Sequence, residues 1–182
     1  NFIENVDFKK LIPNLPIAIP KTAIIGVDEF DHFIDNNNLS EIAYSDKSYE
    51  EIKEAFIQAE LTPCLKEKLR NYLEVMKKPL AVRSSSKLED SYFQPFAGIY
   101  STYMIPHTEN EDQQLRLLSK AIKSVYASVY FASSRAYITA TANVISEEKM
   151  AIVLQEICGS EDGGFFFPTF SGVARSLNFY PI

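Results

Sequence analysis

Residues 79–105 read PLAVRSSSKLEDSYFQPFAGIYSTYMI, and the order of residue types in this stretch decides how the rest of the chain is read. Leu80-Ala81-Val82 is a short apolar run behind a proline, the pattern of a buried strand. The run ends on Arg83, and three serines follow before the chain returns through Phe96-Ala97-Gly98. A guanidinium at the end of an apolar strand has two explanations. It closes an ion pair with Glu89 or Asp90, or it is aimed at an anion. In the second case its planar fork offers bidentate, charge-assisted bonds, and Ser84 and its neighbours add O–H and N–H donors. Gly98 lets a backbone approach closely. Residues 99–105, rich in Tyr, Thr and Ile, read as the next strand.

Upstream, PNLPIAIPKTAII at 13–25 holds three prolines among apolar residues and must be extended. Asp28 is expected to cap a short helix with Phe30, Phe33 and Ile34 on one face, which NNNLS at 36–40 breaks. Ser48 and Glu51 have the spacing of a capping box, opening a helix that reaches about Ala59. Thr62-Pro63 starts another, with Leu65, Leu69, Tyr72, Leu73 and Met76 as its apolar stripe. Downstream, residues 112–131 read as a long helix with Leu115, Leu118, Ile122 and Val125 inward and an acidic first turn at 109–112. A second helical piece is expected at 135–142. Residues 150–157 are apolar on both faces and are predicted to be a fully buried strand. GGFFFPTFSGVARSLNFYPI at 163–182 reads as two strands around Ser171-Gly172, with Pro168 holding the first to an edge. Helices first, then strands mixed with helices, define an α+β domain with a mixed or antiparallel sheet.

The composition excludes several classes of function. Hydrophobic residues make up 46% of the chain, enough for a packed core. A net charge of −6 is wrong for a surface that coats nucleic acid, although it leaves room for a local cationic pocket. Cys64 and Cys158 stand far apart with no histidine cluster, so zinc is not expected, and both are read as buried thiols of a reducing, cytoplasmic setting. No apolar run is long enough to span a membrane, and no P-loop motif occurs. His32, His107 and the pair Glu147-Glu148 read as solvated or capping residues. The start on Asn1 and the end on Ile182 read like a piece of a longer protein.

Residues 81–103 also resemble the ATP-binding domain of phosphoenolpyruvate synthase and its pyruvate phosphate dikinase relatives. The pattern there is roughly V-R-S-S-A-x-x-E-D-x-x-x-x-S-F-A-G-x-x-x-T-Y. Val82, Arg83, Ser84, Ser85, Glu89, Asp90, Phe96, Ala97, Gly98, Thr102 and Tyr103 match it in one register, with Pro95 in place of a serine. LPIAIPKTAII at 15–25 resembles the family's L-P-V-P-P-G-F-V-I, with Lys21 where glycine is usual. SVYASVYFASSRAYI at 124–138 resembles V-W-A-S…R-A, with Tyr126 in the tryptophan position and Arg135 in the arginine position. MAIVLQEIC at 150–158 resembles the V-V-V-Q-x-M-V strand, and Ser171-Gly172-Val173-Ala174 its S-G-V-A turn.

The resemblance implies an ATP-grasp-like nucleotide-binding domain, incomplete over 1–182. It implies ATP as ligand, with Arg83, Ser84 and Arg135 toward the phosphates and Gln155 and Ile157 on the strand beside adenine. For Arg135 a surface pair or helix-end cation remains an alternative, and for Gln155 a polar strand-edge residue. The family's phosphate lysine would precede Phe2, and its Mg2+ ligands would lie beyond Ile182, so no catalytic or metal residue is expected in this fragment. In such enzymes phosphate passes from ATP to a histidine on a swivelling domain and then to pyruvate on a third. The expected partners are therefore ATP and those two missing domains, with neither nucleic acid nor membrane. A glucan- or antibiotic-directed phosphotransferase, or a degenerate nucleotide-binding or interaction domain, is the alternative.

Overall fold

In the computed structural model, residues 17–86, 89, 98, 100–131, 134–136 and 148–174 are described. The elements are β1 (Thr22–Ile25), α1 (Val27–Asn36), α2 (Ser40–Ala43), α3 (Tyr49–Gln58), α4 (Pro63–Val75), β2 (Leu80–Ser86), β3 (Tyr103–Ile105), α5 (Glu111–Ser128), β4 (Met150–Glu156), β5 (Ser160–Asp162) and β6 (Phe165–Phe167).

Three helices begin on side chains that satisfy their own first N–H groups. Ser48 and Glu51 form the reciprocal capping box of α3. Thr62 accepts from the Leu65 N–H at 3.2 Å with Pro63 in the first turn of α4. Asn110 accepts from the Gln113 N–H at 2.9 Å to open α5. Helix α1 departs from expectation. Its N-cap is Gly26, and Asp28 lies within the first turn, where its charge suits the helix dipole. A Cβ at position 26 would sit 2.4 Å from Asp28 Oδ1, so the carboxyl occupies the space a capping side chain would need.

The sheet is four-stranded in the order β1-β4-β2-β3, and every neighbouring pair is antiparallel. The expected strand at 80–83 extends through all three serines to Ser86, because Arg83, Ser84, Ser85 and Ser86 continue the register against Val153, Ile152, Ala151 and Met150. Only Tyr103–Ile105 of the expected strand at 99–105 pairs with β2. Just upstream, the Ser101 N–H donates to Ser128 Oγ at 3.2 Å, tying that stretch to the end of α5 instead.

Alternation along these strands separates two faces. Ile25, Leu80, Val82, Ile105, Met150, Ile152 and Leu154 point into the core, against α5 on β2, β3 and β4 and α1 on β4. The aromatic centre of that core includes Phe30, Phe33, Phe56, Tyr126 and Tyr130, with Phe30 edge-on to Tyr126 at 5.1 Å. The other face carries Ile24, Arg83, Met104, Val153 and Gln155, with Ile24 71% and Met104 64% exposed. The reading of 150–157 as buried on both faces is therefore corrected. Among the described residues helices cover one side only, and Ala151, Val153 and Gln155 are half-buried.

Beyond β4 the chain makes a hairpin, β5-β6, turning on Gly163 and Gly164 at φ 58° and 83°. The turn was expected at Ser171-Gly172, but a two-residue turn with both residues at positive φ favours the glycine pair. Residues 171–174 are not strand. Cys64 and Cys158 are exposed, against expectation. Expectations for residues 13–16, 90–97, 99, 137–142 and 175–182 lie outside the described residues. Among the described residues no helix is long and apolar enough to cross a membrane.

Candidate nucleotide cleft

β3 pairs with β2 only as far as Val82, so beyond that point this edge of β2 is uncovered by β3. A cleft of ≈ 510 Å3 opens there, lined by Arg83, Ser84, Ser85, Glu89, Gly98, Tyr100, Thr102 and Val153. That volume falls in the range of about 300–1,000 Å3 typical of ligand sites. Gly98, at φ 87°, adopts a backbone conformation that a side chain would strain, and it forms part of the wall.

Arg83 is exposed on the outer face, and its Nη1 donates to Gln155 Oε1 at 3.4 Å. Gln155 continues the row by donating from Nε2 to Thr22 Oγ1 at 3.4 Å, so one amide bridges β2 to β1 across β4. Glu89 does not take the guanidinium. Its carboxylate accepts from the Ser84 hydroxyl at 2.8 Å and the Ser86 N–H at 3.1 Å, while its own N–H donates to Ser86 Oγ at 3.3 Å. Ser86 and Glu89 thus form a second reciprocal Ser-x-x-Glu turn. The sequence reading used this spacing at Ser48 and passed over it here. The Ser84 hydroxyl proton is engaged with Glu89.

Ile157 follows β4, half-buried, and its N–H donates to Pro79 O at 3.0 Å, extending the β2–β4 pairing by one bond. Next to it the Glu156 carboxylate pairs with Lys78 and accepts from the Lys21 N–H at 3.3 Å. The Lys78 hydrogen bond holds Glu156 below the usual carboxylate range. Lys21 engages Glu156 through its backbone, which needs no glycine at that position.

Arg135 is not brought to Arg83. Its guanidinium donates to Ser45 O at 2.7 Å and to Ala43 O, the carbonyls at the end of α2. It lines a separate cavity of ≈ 240 Å3 with Asp46, Lys47, Ser48, Tyr49, Ile52, Tyr130 and Phe131.

Glu148 was read as part of a solvated turn and is buried instead, accepting from Tyr100 Oη at 2.9 Å. Nothing in the spacing of Tyr100 and Glu148 announces the pair. Among the described residues, no group of three His, Cys, Asp or Glu side chains could hold a metal ion. These residues do not fit a Mg2+ site by themselves.

A helix-backed antiparallel sheet, with a serine-rich cleft that carries Arg83 and Glu89 on one strand edge, defines an α+β domain. The chain belongs to the pyruvate phosphate dikinase AMP/ATP-binding domain family, whose model matches residues 5–181. It is also similar to the uncharacterized phosphotransferase YvkC of Bacillus subtilis (strain 168), 30% identical over 154 residues. That match covers 83% of this chain and 17% of the relative, so the chain spans about a sixth of that protein's length.

Proposed function

We propose that this chain is the ATP-holding part of an ATP-grasp-like phosphotransferase that makes phosphoenolpyruvate from pyruvate through a phosphohistidine. One observation carries the reading: Arg83 reaches the cleft with a neutral amide as its partner, so its charge is available to a phosphate. Arg83 and Ser84 would take the phosphates, Ser84 by donating its hydroxyl proton once Glu89 releases it. Gln155 and Ile157 would lie along β4 beside the base. The protein's contribution is positioning and neutralisation of charge that develops on the transferred group. For Arg135 the reading changes. Its guanidinium holds the end of α2, and a phosphate role would require it to leave two carbonyls in another cavity.

Mg2+ would be held by residues beyond this set, as would the histidine, the pyruvate site and the phosphate lysine. The setting is the cytoplasm. The test uses the full-length parent protein and ATP labelled in the transferred phosphate. Expected are an acid-labile phosphohistidine and, on adding pyruvate, labelled phosphoenolpyruvate, both lost in Arg83→Ala. Label appearing on a glucan or an antibiotic, with none on pyruvate, would overturn the acceptor. A parent protein that takes no label and binds no ATP would overturn the reading as a whole.

A further inference from the structure

The buried pair below the cleft does more than fill space. Tyr100 is 5% and Glu148 6% exposed, yet Tyr100 is also a cleft-lining residue. The pair joins the wall that carries Gly98, Tyr100 and Thr102 to the start of β4, 48 residues away. Two hydrogen-bonded sets lie side by side here. The phenol donates to Glu148, and Glu89 N–H donates to Ser86 Oγ, whose hydroxyl is close enough to the phenol to pull its value down. The other end of the second set is the Ser84 hydroxyl on Glu89, facing the cleft. Burial first, and then the Glu148 charge, push the Tyr100 phenol far above its ordinary range, so it stays a donor. Such chains strengthen one another in a low-dielectric interior, and losing one member leaves the next without its partner.

We infer that Glu148 is a positioning residue for the cleft, acting through Tyr100 to hold Gly98, Tyr100 and Thr102 in register with Ser84 and Glu89 for a bound nucleotide. The inference rests on the nucleotide reading above for its ligand, and on geometry alone for the tether.

The test compares four forms of the parent protein: wild type, Tyr100→Phe, Glu148→Leu and Glu148→Gln. Glutamine keeps a carbonyl oxygen able to accept from the phenol, whereas leucine does not. ATP affinity is measured by displacement of a fluorescent ATP analogue, and hydrogen exchange by mass spectrometry of peptides covering Tyr100–Thr102. Tyr100→Phe and Glu148→Leu should each weaken ATP binding about tenfold or more, and speed exchange across the wall. Glu148→Gln should stay within about threefold of wild type in both, the rescue that a tether predicts. Equal losses in Glu148→Gln and Glu148→Leu would overturn the tether in favour of charge. So would unchanged ATP affinity and exchange in Tyr100→Phe, which stands even if Glu148→Leu fails to fold. If wild type binds no ATP, the nucleotide reading falls separately, and the exchange of Tyr100→Phe alone upholds or overturns the tether.

Discussion

Arg83 and Gln155 meet diagonally across the β2–β4 ladder, guanidinium to amide at 3.4 Å, two residues out of direct register: Arg83 stands opposite Val153 and Gln155 opposite Ala81. An amide acceptor leaves the positive charge unneutralised. An exposed, long hydrogen bond of this kind adds little to stability. The pair therefore lets the proposed ligand-binding role of Arg83 be tested apart from any structural one.

In the parent enzyme, Arg83→Lys should lower kcat/KM by about 2–4 kcal/mol of transition-state stabilisation, because lysine keeps the charge but loses the bidentate fork. The melting temperature should barely move, since surface substitutions without a special partner usually stay within about 0.5 kcal/mol. Melting curves and turnover on the same preparation check this. A large loss of stability with activity per folded molecule unchanged would sink the assignment.

Tyr126 is fully buried, with its ring packed by Phe30 and Phe33 and its hydroxyl without an acceptor among the described residues. Leaving a buried hydroxyl unpaired costs about 1–3 kcal/mol. Tyr126→Phe keeps the ring and removes the liability, so thermal stability should rise or hold. A clear fall on denaturant titration would reveal an acceptor for the phenol.

Acid should loosen the first half of the molecule. Glu51 lies below the usual 4.5, chiefly through the Ser48 backbone N–H and then its hydroxyl. Glu60, bonded by Lys66, is lowered too. A depressed folded value means stabilisation that is present above about pH 4.5 and lost as pH falls through the folded values. Glu51→Gln should flatten this part of the stability–pH curve. An unchanged acid limb would show that the capping box contributes nothing through its charge.

Alkali acts through the phenols. Burial first pushes Tyr100, Tyr126 and Tyr130 far above the ordinary 10.0. Their raised values stabilise the fold fully below that pH, and the contribution is lost as pH climbs above it. For Tyr103 burial also pulls upward, but Lys53, Ser101 and Ser124 outweigh it and its value falls. Phenolate absorbance should therefore rise in two stages, the second coinciding with loss of the far-UV circular dichroism. A single smooth titration of all ten tyrosines in a still-folded protein would contradict the burial of these three.

Helix positions were legible because their signals are local. Ser48 with Glu51, Thr62 with Pro63, and the stripes of α4 and α5 each lie within a few residues of one another. The stretch from Leu80 was legible as strand only as far as Arg83, and the three serines carry no strand signal of their own. Only pairing with a segment some 70 residues later makes them strand, and no local pattern encodes that. Arg83 could be picked out by its chemistry, whereas its choice of Gln155 over Glu89 depends on which side chains the sheet sets side by side. Arg135 shows the opposite failure. Its residue type fitted a phosphate, and the end of α2 claimed it first. Glu148 was misread because two adjacent glutamates look solvated, and its phenol partner comes from a distant loop.

The strand order has a consequence in time. β4 lies between β1 and β2, yet it is made last of the four, more than 120 residues after β1. Until residue 156 has left the ribosome, β1 has no neighbour in the sheet among the described residues and β2 has only the three-residue β3 among them. The helices can form early on their own caps, but sheet closure waits for a single late insertion between two strands already in hand. Folding should therefore be governed by that one long-range event, slow for a domain so rich in helix. A released chain truncated before Met150 should expose the apolar faces of β1 and β2 to chaperones, whereas one that retains β4 should not.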